Sequence, residues 1–100
     1  MTAQLERLAS AGIQIIPAEI TSHFILERGG FVAFVERRGG EFGNIGAPGL
    51  MTERGFAALV WRGERAFFVG KGLEQVATDE QVREIRGFGA DLEKAILGRE

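Results

Sequence analysis

Residues 56–69 read FAALVWRGERAFFV, two short apolar runs split by Arg62-Gly63-Glu64-Arg65. Branched and aromatic residues in runs of this length, joined by a glycine-bearing polar tetrad, are the signature of a β-hairpin. Both runs break the usual rule of one wet and one dry face. Phe56, Ala58 and Val60 oppose Ala57, Leu59 and Trp61, while Phe67 and Val69 oppose Ala66 and Phe68. The hairpin is apolar on both sides.

The same reading extends towards the N-terminus. Phe31 to Arg37 is again apolar on both faces, with Phe31, Ala33 and Val35 opposing Val32 and Phe34. Arg28-Gly29-Gly30 joins it to an alternating segment, Ile20 to Arg28, because paired glycines supply the positive φ of tight hairpin turns. Arg38-Gly39-Gly40 turns the chain again into a weaker strand, Glu41 to Ile45. Ile13 to Ile16 forms a short strand stopped by Pro17.

Helices are expected at both ends. Thr2 is placed to cap a short one, with Leu5, Leu8 and Ala9 on a stripe and Gly12 past its end. Thr78-Asp79-Glu80-Gln81 is a capping box for a longer one. Its apolar positions, Val82, Ile85, Phe88, Leu92 and Ile96, recur at spacings of three and four. Gly87 and Gly89 mark either a break or a close approach to the sheet. These elements predict one α+β domain over residues 1–100: a two-layer structure with an antiparallel sheet of five or six strands and both helices on one face.

Composition narrows the function. The chain has 100 residues, 45% hydrophobic, with eight Phe, no Cys and a formal net charge of −2. That apolar content builds a core and argues against disorder. Without cysteine there is no disulfide, thiolate zinc site or cysteine nucleophile. Without basic excess, nucleic acid is an unfavoured partner. No run suggests a signal peptide or membrane span, so a cytoplasmic protein without membrane contact is expected.

The unusual stretch is GEFGNIGAPG at 40–49, with glycine at every third position. It matches neither GxGxxG nor GxxxxGK[ST], and three triplets are too few for a collagen helix. It reads as a glycine-weakened edge strand and turn. An anion-binding nest, with Gly43, Asn44 and Gly46 as ligand-binding residues, is the alternative. Pro48 could also open a short helix through Arg54, ended by Gly55. His23 is the sole histidine, with Glu19 and Glu27 as possible orienting carboxylates. No catalytic set, metal-ligand spacing or cofactor motif stands out.

With one face of the sheet under helices, the second apolar face needs cover. A second copy of the chain supplies it economically, through Phe34, Leu59, Trp61 and Phe68; a sheet curled upon itself is the competing solution. The sequence therefore points to a non-catalytic, homodimeric binding or adaptor domain with a protein partner. The alternative is a small-molecule or anion-binding protein, conceivably an enzyme, with its site at residues 39–49 and His23.

Overall fold

The computed structural model describes residues 1–98. Helix α1 (Thr2–Ser10) is followed by β1 (Gln14–Ile16), β2 (His23–Arg28), β3 (Phe31–Arg38), β4 (Glu41–Ile45), β5 (Gly49–Thr52), β6 (Gly55–Arg62), β7 (Arg65–Gly70) and β8 (Leu73–Val76). Helix α2 (Asp79–Leu97) closes the described chain. All pairings are antiparallel, in the order β1-β2-β3-β5-β6-β7-β8, with β4 also on β3. The α+β class is as expected. The sheet is larger than the five or six strands anticipated, with eight, and it curls as a half-barrel instead of lying as a flat layer.

The curl traces to the glycine-rich stretch. β4 and β5 lie end to end along the same edge of β3. The register runs from Arg37–Phe42 to Val35–Ile45, and then to Val32–Gly49 on β5. Each step inserts one extra residue on the β4–β5 side, so this edge carries two β-bulges. Bulges bend a strand and increase its twist. The Gly46 N–H still donates to the Phe34 carbonyl at 2.9 Å between them.

Glycine is required here for closeness, not for φ. A Cβ on Gly46 would meet the Phe34 carbonyl at 2.8 Å, whereas one on Gly43 would meet only the Glu36 and Arg38 side chains, which can swing aside. A Cβ on Gly49 would collide with the Ala57 carbonyl and with the Phe56 ring, which lies across the strand. That ring packs edge-on against Phe34 with centroids 5.2 Å apart. By contrast Gly29-Gly30 and Gly39-Gly40 all have positive φ, as their two-residue hairpin turns demand.

The alternative of a short helix from Pro48 through Arg54 is not adopted: residues 49–52 are a strand, and pairing of Gly49 and Leu50 with both β3 and β6 wins over a marginal two-turn helix. At the far end of the sheet Gly70-Lys71-Gly72 turns the chain into β8, a strand beyond those expected from the sequence, with Gly72 at φ +70°. At the N-terminus Thr2 is the first helical residue instead of the cap, and α1 has no side-chain cap.

The core lies on one face of the half-barrel. Phe24, Leu26, Phe31, Ala33, Val35, Ala57, Ala66 and Phe68 from the sheet enclose Ile85, Phe88, Leu92, Ala95 and Ile96 of α2. The capping box of α2 forms as expected: Thr78 Oγ1 accepts from the Gln81 N–H, and the Gln81 side chain accepts from the Thr78 N–H. α2 is unbroken across Gly87 and Gly89; the latter faces Pro48 of the bulged edge. α1 joins through Leu8. Gln4 and Arg7 donate to the carbonyls of Ile96 and Ala95, at 2.8 Å each, near the end of α2 where carbonyls lack helical partners. Arg28 ties three elements: its Nη1 donates to the Ala11 carbonyl and to Asp91 Oδ2, and its guanidinium lies 5.6 Å from the Phe88 ring centroid.

Two glycine substitutions separate these roles. Gly49→Ala is expected to destabilise by about 1–3 kcal/mol through overpacking. Gly87→Ala, in open space within a helix, should stabilise by up to about 1 kcal/mol. Urea unfolding of both variants checks the pair; equal effects would show that the β4–β5 edge yields freely.

Candidate functional site

Side chains alternate across each strand, so register fixes which of them face the helices. Phe24 and Leu26 are in the core, and therefore His23, Ile25 and Glu27 project from the opposite, outer face. Their cross-strand partners Glu36, Phe34 and Val32 share that face. The same logic places Met51, Phe56, Ala58, Val60, Phe67, Val69 and Val76 there. Val32 is buried yet lies outside the helix-facing core cluster. Both described helices pack on the other side. The outer face is consequently a broad apolar surface with half-buried Ile25, Phe34, Phe56, Val60, Phe67 and Val69 at its centre. Met51 and Val76 are exposed at 42% and 51%.

Two ion pairs lie on this face, while Arg65, the register partner of Arg62, has no carboxylate partner among the described residues. Glu36 pairs with Arg38, and Arg62 with Glu74. Arg62 also lies over the Phe67 ring, 5.2 Å from its centroid. Glu27 accepts from Gln14 Nε2 at 2.6 Å and from the Gly30 N–H at 2.9 Å. These hydrogen bonds, the one from Gln14 foremost, hold the Glu27 carboxyl below its ordinary value, against a small opposing effect of burial.

Of the residues singled out by sequence as an interface, only Phe34 occupies the outer face. Phe68 is fully buried against the helices, and Leu59, its register partner, packs on the same core. Trp61 shares their helix-facing parity but lies beyond the core, 47% exposed, with Arg86 of α2 5.4 Å from its ring centroid. Both parities of β6 and β7 are apolar, and local sequence does not say which one α2 selects. Phe56, Val60, Phe67 and Val69, which alternate with the residues named, are the ones on the outer face.

The alternative site is divided by the sheet. His23 and Gly43 do come near one another, since both flank Glu36 on the outer face. Asn44 is exposed within the bulge. Gly46 instead lines a groove against α2 with Ile45, Pro48, Leu59 and Gly89. His23 Nδ1 is hydrogen-bonded to Ser22 Oγ at 2.8 Å, and neither Glu19 nor Glu27 is bonded to the ring. Among the described residues, no three His, Asp or Glu side chains gather as a metal site, and no helix is long and apolar enough to cross a membrane.

Comparison with protein-family models, curated proteins and solved structures finds no match to this chain.

The carboxyl of Glu27 gives a pH test of the outer-face network. Its folded value is depressed, so its stabilisation is present at neutral pH. That stabilisation is lost as pH falls below the ordinary value near 4.5 and through the lowered folded one. Glu27→Gln should lower the melting temperature at pH 7 and flatten its decline below pH 5; an unchanged acid limb would show that the network contributes nothing.

Proposed function

We propose that the protein is a non-catalytic binding or adaptor domain that acts as a homodimer, the two copies meeting through their outer sheet faces. The observation that carries this reading is the apolar face that neither described helix covers. Contiguous exposed apolar surface of this kind on a small domain marks an interaction site.

Charge favours a second copy as the occupant. The sheet curls around α2, so the outer face is convex and two copies would meet along its central strands, in a contact of the small, weak class. A two-fold contact also sets a surface against itself, so a patch of one sign would repel its twin. Here Glu36–Arg38 and Arg62–Glu74 cancel within the face, which leaves Glu27 and Arg65, of opposite sign, as its single charges. The apolar centre with a paired, polar rim matches the anatomy of protein interfaces. In the dimer each copy keeps its helix side free, which is where a protein partner would be engaged.

Phe67→Glu and Val60→Lys are expected to give folded monomers, while Trp61→Glu leaves the dimer intact. Sedimentation equilibrium at micromolar concentration, alongside circular dichroism, measures both. A wild-type chain that sediments as a monomer refutes the proposal, and so does a dimer that only Trp61→Glu dissociates.

A further inference from the structure

β6 is an interior strand of the sheet, yet one of its sides is only half paired. Residues 55–58 pair with β5, whereas residues 59–62 pair with β7 alone. The β5 ladder stops where the next residue in register, Pro48, has no N–H to donate. From there the chain leaves β6 for β3, and the Gly46 N–H donates to the Phe34 carbonyl at 2.9 Å. β4 in turn pairs with β3 alone. β4 and β6 therefore turn open backbone edges towards one gap. Among the described residues, no backbone hydrogen bond outside the ladders involves residues 41–45 or 59–62.

A groove of about 600 Å³ lies at this gap, with Ile45 and Leu59 on its banks and Pro48 and Ala90 also in its lining. We propose that the gap takes up an extended, uncharged peptide strand of another protein. The strand adds to β6 at residues 59–62 and lays an apolar side chain into the groove.

The backbone defines the occupant first. Unpaired N–H and C=O groups along a strand are a template for another extended chain. In strand addition the main-chain bonds supply affinity, and pockets for alternate side chains select the sequence. The outer sides of β1 and β8 are unpaired too, as the two ends of any open sheet are. The gap at β6 differs in being bounded by strand on both sides and floored by α2.

Register and charge define the side chains. Ile45 is opposite Val35 and Leu59 opposite Phe68, both core residues, so the banks present their apolar side chains towards α2. A strand lying between them directs every second side chain the same way. Arg86 and Glu93 also line the groove, and their charges cancel. An acidic or a basic segment gains no net attraction there, whereas a neutral apolar side chain leaves both ions in water. Strand addition at this gap needs no dimer, because the outer faces lie on the other side of the sheet.

A fluorescein-labelled heptapeptide of alternating threonine and valine, with threonine at both ends, is the probe. Its anisotropy should rise saturably with protein, with half-saturation below about 0.5 mM. Hydrogen exchange of residues 59–62 should slow on saturation. The fully N-methylated peptide keeps the side chains but loses every donor, and should bind at least about tenfold more weakly. Aspartate or lysine in place of the central valine should weaken binding to a similar degree. Ala90→Trp fills the groove from an exposed position on α2 and should also cost about tenfold, whereas Ala3→Trp on α1 should cost nothing. Both variants are expected to melt like the parent. Phe67→Glu, on the outer face, should bind the peptide unchanged whatever its oligomeric state. The proposal is overturned by an unsaturated response up to about 1 mM protein, or by full affinity of the N-methylated peptide or of Ala90→Trp. Exchange protection confined to β1 or β8, or loss of binding in folded Phe67→Glu, overturns it equally.

Discussion

The apolar stripe of α2 has to be buried, and the rest of the structure is arranged around that need. Ile85, Phe88, Leu92, Ala95 and Ile96 lie on one side of a 19-residue helix, with Phe88 and Leu92 completely enclosed. Each large side chain buried in this way contributes roughly 1.5–3 kcal/mol, so the stripe is among the main sources of stability. Its seat is the face carrying Phe24, Leu26, Phe31 and Phe68. The secondary contacts serve the same seat: α1 supplies hydrogen bonds to the last carbonyls of α2, and Arg28 bridges β2, α1 and Asp91. One helix occupies one side. The apolar residues of opposite parity are left without a covering helix among the described residues.

The bulged edge connects the glycine-rich stretch to this packing. A flat antiparallel sheet of eight strands would bring only its middle strands against a single helix. Curling carries the outer strands inwards, so that Phe24 on β2 and Phe68 on β7 reach one common core. The two extra residues between Phe42 and Gly49 produce the bend, and the missing side chains at Gly46 and Gly49 admit the close backbone approaches it entails. Pro48 then lies against Gly89, where the absence of a side chain lets the helix come near the bulge. Within the three-residue glycine spacing, Gly46 and Gly49 are therefore geometric requirements of the fold, and Gly40 serves a hairpin turn.

Much of this was legible in the sequence, and the parts that were not share a physical cause. The hairpins at Gly29-Gly30, Gly39-Gly40 and Gly63, and the capping box at Thr78, are local events governed by neighbouring residues. β8 was invisible because Leu73–Val76 is mostly exposed and lacks an apolar pattern; ladder pairing with β7 alone defines it. β5 was hidden by its glycine and its brevity. The strands are apolar at both parities, as their sequence shows, and α2 covers one of the two faces. Which parity meets α2 depends on long-range register, and bulges shift that register by whole residues. Hence Phe34 was placed on the outer face, while Leu59 and Phe68 belong to the core.

The charges of the outer face follow the strand register as its apolar residues do. Arg62 faces Glu74 across β7, and Glu36 pairs with Arg38 along β3. Glu27 is held by the Gln14 amide and the Gly30 N–H, and Arg65 stands opposite Arg62 with no carboxylate partner among the described residues. Glu27 and Arg65 are therefore the charges that any partner on this face would have to match, since burying either one alone would leave an uncompensated ion.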